Sequence, residues 1–258
     1  MPPTDPFDAL AASYDDHFSR SPVGRLMRRR VRRRLDSCFS SGQRVLDLGC
    51  GTGEDAVHLG CRDIEVLATD RSLEMVAVTR EKVARAGLEG HVRVERLAVE
   101  SLHELATPMF DGALSNFGGL NCVADLPAVS EALAARLRPG ATAMLCLMGP
   151  VVPWEWVWFL ARGEPGKAFR RLKPGGAVWR GLKIRYPSVG AVRRDFSRHF
   201  ELSRVGAIGA LLPPPFTEPW SARHPRLLQG LNRWEQRFEA CAPLPWLSDH
   251  YLLELRRA

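Results

Sequence analysis

The chain has 258 residues, 45% of them hydrophobic, with 36 Lys and Arg against 29 Asp and Glu for a net charge of +7. These values describe a soluble globular chain of one domain, able to bury a large core, and they exclude a disordered or fibrous protein. No apolar run is long enough to span a bilayer, the first ten residues lack the basic-then-apolar pattern of a secretory signal, and the positive charge is too diffuse to argue for nucleic acid, so a cytoplasmic protein is expected.

The chain begins with a segment, residues 1–40, that reads as a lid and a first helix. Within it, residues 22–39 place Val23, Leu26, Met27, Val31 and Leu35 at helical spacing, with Arg on the other faces. The run from Arg28 to Arg34 offers a nucleic-acid or membrane surface as one reading. The persistence of the apolar stripe favours the other, a helix on a sheet with a solvated Arg face.

Next come alternating signals: strand 44–48, helix 54–59, strand 64–69, helix 72–86, strand 91–97, strand 111–115, helix 125–137 and strand 141–148. Such alternation predicts parallel βαβ units in a doubly wound α/β sheet. Pro139-Gly140 is expected to stop the helix before the fifth strand. Residues 189–200 read as a helix, 201–212 as a sixth strand and 250–256 as a seventh. Two stretches exceed a minimal sheet. Residues 149–187 and 213–247 are rich in Trp and broken by Gly and Pro, and they are expected to be helical insertions that cap a substrate. The whole is read as one domain, with 41–148 as its ligand-binding core.

The six cysteines, Cys38, Cys50, Cys61, Cys122, Cys146 and Cys241, form no Cys-x-x-Cys pair and show no metal-ligand spacing. Buried thiols in a reducing compartment, and no metal, are the expectation.

The most informative stretch is Val45-Leu46-Asp47-Leu48-Gly49-Cys50-Gly51-Thr52-Gly53. A short apolar strand runs into a loop with three alternating glycines, which lets backbone approach a ligand, and a helix start follows with free N–H groups. Glu54 stands where the dinucleotide pattern needs its third Gly, and no Gly-Lys-Ser/Thr follows, so neither that pattern nor a phosphate-binding Walker loop is present. Asp70, at the end of the second strand, is placed to accept hydrogen bonds from a ribose diol.

Together these residues resemble motifs I and II of the class I S-adenosylmethionine (SAM)-dependent methyltransferases. The resemblance covers residues 7–148 well. It is nearest to the bacterial small-molecule branch, with its quinone and secondary-metabolite C- and O-methyltransferases. It implies a Rossmann-like seven-stranded sheet and SAM as methyl donor, with S-adenosylhomocysteine (SAH) as product. It further implies that Asp47, Gly49, Gly51 and Gly53 cradle the methionine and ribose part, that Asp70 holds the ribose, and that Arg71, Met75, Val99 and Glu100 lie near the adenine. Ala98 stands where many relatives have an Asp. Ser115 and Asn116 would touch the methionine part, and Tyr14, in a Tyr-Asp segment, would reach the SAM carboxylate as part of a lid.

Phe117, Asn121, Trp154, Tyr186 and Trp220 are candidates for substrate contact, with Arg223 a weaker one. Transfer from a sulfonium is an in-line displacement that alignment alone can speed greatly, and a base is needed only for a weakly acidic nucleophile. His17, His224 and His250 are the candidate bases, each with an alternative as a structural or exposed residue. The acceptor expected is a small planar or hydrophobic metabolite, methylated on O, N or C by a monomer or homodimer. No Asn-Pro-Pro-Tyr or Asp-Pro-Pro-Tyr follows the fourth strand, which argues against DNA adenine or glutamine methylation. Two alternatives stay open: an RNA or protein methyltransferase using the Arg-rich surface, and a non-catalytic SAM-binding protein.

Overall fold

In the computed structural model, which describes residues 5–105 and 109–258, one mixed sheet organises the chain. The elements in order are α1 (Pro22–Cys38), β1 (Arg44–Leu48), α2 (Glu54–Gly60), β2 (Glu65–Asp70), α3 (Leu73–Arg85), β3 (Val92–Arg96), β4 (Phe110–Ser115), α4 (Leu126–Ala134) and β5 (Leu137–Met148). Then come α5 (Pro153–Leu160), α6 (Pro165–Ala168), β6 (Ala177–Trp179), β7 (Leu182–Ile184), α7 (Val189–Phe196), β8 (Phe200–Ile208), α8 (Glu218–Arg223), α9 (Pro225–Phe238) and β9 (His250–Arg257). Side-chain caps mark the helix starts that the sequence suggested: Ser21, Ser72, Asp125 and Ser188 each accept from a backbone N–H three residues on.

The main sheet has the order β3-β2-β1-β4-β5-β9-β8. β1 to β5 are parallel, and β9 runs antiparallel to both of its neighbours. Strand order reverses between β1 and β4, and in open α/β sheets ligands bind at the carboxyl ends beside such a reversal. The apolar stripes of α1, α2 and α3 bury one face of the sheet, and those of α4 and α7 bury the other.

Four details depart from the sequence reading. α4 ends at Ala134, and β5 already begins at Leu137, so Pro139-Gly140 lies inside the strand. The ladder absorbs them by skipping register between Phe110 and Gly112 of β4. β8 stops at Ile208 instead of Leu212, because Gly209 turns at φ +77° and the Glu235 carboxylate captures the amides of Gly209, Leu211 and Leu212. The insertion 149–187 is not wholly helical: β6 and β7 form a hairpin whose two-residue turn, Arg180-Gly181, has both φ angles positive. That is a type I′ geometry which an Arg in the first turn position conceals in the sequence.

The fourth departure is the Arg run of α1, which is not a solvated face. Arg28 and Arg32 reach Asp55 and Glu54 of α2, Arg30 pairs with Glu235 and Glu239 at the end of α9, and Arg34 makes a two-pronged pair with Glu254 of β9. Arg25, Arg29 and Arg33 face solvent. A helix turning 100° per residue sends residues 28 and 32 one way and 30 and 34 another. α1 is therefore fastened to both halves of the molecule.

Candidate functional site: one cavity with two unlike ends

A cavity of about 840 Å³ opens at the carboxyl edge of the sheet. Its volume is at the upper end of the range for small-molecule sites. At one end lies the Gly loop. Gly49, Gly51 and Gly53 all have positive φ, but they serve different ends. A Cβ on Gly53 would strike Thr79 Cγ2 at 2.4 Å, so this glycine lets α3 pack against the loop. A Cβ on Gly51 would meet no protein atom within 4 Å, and Gly51 lines the cavity. Its missing side chain leaves room for a ligand against bare backbone.

Two carboxylates frame this loop. Asp70 accepts from the N–H of Gly51 and of Ser72, each at 2.9 Å, which fixes it at the end of β2 facing the cavity. Burial raises its pKa against those two hydrogen bonds. Asp47 is 2% exposed, and its Oδ2 has no hydrogen-bond partner among the described residues. Burial, then the nearby Asp55 and Asp70 charges, push its pKa well above the ordinary carboxylate range. A buried carboxylate oxygen without a partner is unfavourable until a donor arrives.

The N-terminal segment closes over this end through acidic latches. Asp5 pairs with Arg71 at 2.5 Å, Asp8 accepts from Ser72 Oγ, and Asp15 accepts from Thr52 Oγ1 at 2.7 Å and pairs with Lys82. Residues 15–19 form a π-helical turn, a distortion often found at functional sites. Tyr14 lines the cavity, and burial raises the pKa of its hydroxyl. Phe7 meets Trp179 of the β6–β7 hairpin at 5.5 Å between ring centres, so lid and insertion touch across the mouth.

The other end is built from the β4 loop and the insertions. Phe117 holds φ +47°, an uncommon angle for a bulky residue, with its N–H bonded to Asn116 Oδ1. Its ring contacts Phe18 and His250 edge-on, and the Arg28 guanidinium lies 4.9 Å from its centre. Asn116 is held by Asp55, whose pKa is kept low against its burial by Arg28 and Arg32. Beyond Phe117 lies a buried charge cluster. Glu155, fully buried on α5, accepts from Arg170 and Arg171, and Arg171 also reaches the Asp249 carboxylate and the Gly149 carbonyl. Asp249 Oδ2 lies 3.2 Å from His250 Nδ1. Burial opposes ionisation of Asp249, but Arg171 and then His250 outweigh it and hold its pKa far below the usual range. Aromatic and aliphatic side chains, including Leu10, Val123, Trp179, Ile184, Tyr186 and Phe216, complete the wall. Among the described residues, no group of three or more His, Cys, Asp or Glu is placed to hold a metal ion.

A family profile described as a methyltransferase domain matches residues 45–140. The demethylmenaquinone methyltransferase of Clavibacter sepedonicus is 30% identical over 154 residues, 57% of this chain and 58% of that protein. A protein named S-adenosyl-L-methionine-dependent Diels-Alderase iliD, from Neonectria sp. (strain DH2), is 34% identical over 94 residues, 36% of this chain and 38% of that protein. The chain thus spans less than two thirds of these curated relatives. The crystal structure of geranyl diphosphate C-methyltransferase from Streptomyces coelicolor A3(2) superposes with a TM-score of 0.59 over all of this chain and 84% of that one, at 12% identity, which speaks to the fold. Over residues 45–140 the chain is thus similar to the methyltransferase-domain family, and its fold is that of the solved SAM-dependent methyltransferases.

Against that family's pattern, the structure gathers most of the sequence candidates in one place. Asp47, Gly49, Gly51, Asp70, Arg71, Met75, Val99, Glu100 and Asn116 line the cavity, as do Tyr14, His17, Phe117, Tyr186 and His250. Others lie outside its lining. Gly53 packs on Thr79, and Ser115 donates to the Leu48 carbonyl between strands. Asn121, fully buried, spends its amide on Met148 and Arg185, tying β5 to the insertion. Trp154 donates to the Leu211 carbonyl and packs on Trp220, which stacks on His224. Indole and imidazole there form a strut between the insertions.

The sequence reading passed over Arg28, Asp55, Glu155, Arg171, Asp249 and Trp179, all of which line the cavity. One had a usable signal: Glu155 is a lone charge within the apolar run Pro153–Leu160, and such a charge needs a buried partner.

Proposed function

We propose that the protein transfers the methyl group of SAM to a small apolar acceptor, in the manner of the bacterial small-molecule methyltransferases. The observation that carries this reading is the orphaned Asp47 carboxylate beside the open backbone of Gly51, with Asp70 fixed nearby. An ammonium group would satisfy Asp47, and a ribose diol would donate to Asp70, so the residues present fit SAM. When bound there, SAM supplies an electrophilic methyl on a good leaving group.

The protein's part is binding, alignment and exclusion of water. Gly49 and Gly51 admit the cofactor to the backbone, and Met75, Val99 and Glu100 border the adenine side. The lid carrying Tyr14 and the insertions 149–187 and 213–247 act as the acceptor cap of a single domain running from the lid to the last strand. Residues 1–4 of that lid lie outside the described residues. At the acceptor end the cavity-lining charges are matched, Glu155 and Asp249 against Arg170 and Arg171. A neutral, largely apolar acceptor suits that balance better than a phosphate or an ammonium.

A metabolite, rather than RNA or protein, is supported by the engagement of Arg28, Arg30, Arg32 and Arg34 in ion pairs inside the molecule. The six free thiols fit a reducing cytoplasm, with the protein working as a monomer or homodimer, and secondary metabolism is the setting that the branch suggests.

The test is calorimetry with SAM and SAH, followed by incubation with methyl-labelled SAM and a panel of phenols, quinols and naphthols read by mass. One site per chain and a gain of one methyl are expected. Tight SAM binding with rearranged but unmethylated products would instead indicate a cyclase like the named Diels-Alderase. No SAM binding would overturn the reading.

A further inference from the structure

The charge cluster at the acceptor end has a geometry that structure alone does not require. Glu155, Arg171 and Asp249 are each buried, yet they line the cavity instead of sitting within the sheet. A buried ion cluster is seldom more stable than apolar packing of the same volume, so its retention beside a cavity calls for a use. His250 ends the chain of contacts. It is the first residue of β9, paired with Met148 at the last position of β5, and so it stands on the carboxyl edge where ligands bind. Its Nδ1 is buried 3.2 Å from Asp249 Oδ2, close enough to pair but without an aligned hydrogen bond to any described residue. Its Nε2 has no partner among the described residues and is not sealed in, and the ring lines the cavity edge-on to Phe117.

Resting on the SAM reading above, we infer that Asp249 and His250 form a general-base dyad, set by Arg171 and Glu155, that deprotonates an acidic O–H of the acceptor, a phenol or an enol. Asp249 favours the tautomer with the proton on Nδ1, which leaves the Nε2 lone pair for the acceptor. The 3.2 Å contact is within reach but not aligned as a hydrogen bond, and catalytic contacts often align only when ligand is bound. As the acceptor oxygen bonds the methyl carbon, its proton passes to Nε2 and the methyl–sulfur bond breaks with its electron pair left on sulfur. The imidazolium then releases one proton to solvent, so charge and atoms balance. Arg171 cancels much of the Asp249 charge, and Glu155 in turn balances Arg171. The other charges facing the ring come across Phe117, from Arg28 and its partner Asp55. β8 offers an uncharged neighbour there, Ile208. The charges around His250 are therefore paired with one another.

The test uses the full chain saturated with SAH and two coloured acidic probes, 4-nitrophenol and 2-hydroxy-1,4-naphthoquinone. In the wild type, at least one probe should bind and keep its anion spectrum to a pH at least one unit below its free titration midpoint. His250→Gln should erase that displacement while SAH affinity stays within twofold. Asp249→Asn should weaken it in part, through the wrong tautomer. With any turned-over phenol, His250→Gln should lower kcat about 100-fold, and less for more acidic phenols, a trend that a packing defect would not produce. Neither probe binding, or a spectrum unchanged by His250→Gln, overturns the inference while leaving SAM binding intact. Loss of SAH binding by the wild type would instead remove the reading beneath it.

Discussion

The two ends of the cavity are made by different means. The cofactor end is local: β1, three glycines, the start of α2 and Asp70 all lie within 27 residues, and backbone conformation does most of the shaping. The acceptor end is assembled across the chain. Arg171 meets Asp249 78 residues away, and Tyr251 donates to the Pro187 carbonyl 64 residues away. Backbone geometry leaves a signature in sequence order, whereas side-chain charge pairs across such separations leave almost none. The comparison also separates rigid from replaceable. A glycine loop tolerates few substitutions, while a charge cluster can be exchanged as a set, which is how one cofactor site can serve many acceptors.

The sharpest way to break this contrast is Arg171→Met. It leaves Glu155 with a single guanidinium and Asp249 buried without its main partner, which should cost about 3–5 kcal/mol of stability, read by chemical denaturation. The sign with pH follows from the depressed Asp249 pKa. The pair's contribution is complete above the unfolded carboxylate pKa of about 4 and is lost as pH falls below it, so the gap between variant and wild type should close in acid. A gap independent of pH would show that packing, not charge, holds the acceptor end.

Next in size is Asp70→Ala, expected to cost about 1.5–3 kcal/mol of SAH affinity by calorimetry, with thermal stability near that of the wild type. Unchanged affinity in a folded variant would end the cofactor assignment.

A smaller effect should come from Asp47. Its raised pKa in the free protein means that it holds a proton at pH values where an ordinary carboxylate does not. A bound ammonium would lower that pKa, so SAH binding should release a proton and tighten with rising pH through the window between the two values. Calorimetry in buffers of different ionisation enthalpy measures the proton. Asp47→Asn should abolish the release, and a release that persists in the variant would assign the proton elsewhere.

The smallest effect separates lining from strut. Trp179→Ala should raise acceptor KM about three- to tenfold, the value of one lost apolar contact, with little change in Tm. Trp220→Ala should lower Tm and leave KM nearly unchanged. The reverse pattern would move the acceptor pocket toward the Trp154–Trp220 stack.

How far the fold was legible in the sequence follows the same division. The strands of the parallel half were readable because each is a short apolar run between helical stripes, and Asp70 could be placed by its distance from the Gly loop. Indoles suit apolar ligands, so the sequence predicts Trp154 and Trp220 as pocket walls. They are instead consumed by each other, by the Leu211 carbonyl and by His224. Composition reveals that aromatic surface exists, not which surface covers it. The Arg run of α1 showed the same limit: its solvated reading failed because Glu235, Glu239 and Glu254 lie some 200 residues downstream. His250 was one of three candidate histidines, and only the fold singles it out, through the antiparallel pairing that brings the start of β9 to the end of β5.

Glu235 sets a limit on modularity. Its carboxylate receives the amides of Gly209, Leu211 and Leu212, where the 213–247 insertion departs from the sheet, and the guanidinium of Arg30. Insertions between the last two strands of a sheet invite treatment as cassettes, cut at both ends and exchanged between relatives to change specificity. Here the cassette carries the anchor for its own entrance and for the first helix of the host. A chimera that replaces residues 213–247 would strand three backbone donors and a buried guanidinium. Any graft that succeeds must therefore carry a carboxylate to the position of Glu235, because replacing Arg30 with an apolar side chain would still leave the three amides without an acceptor.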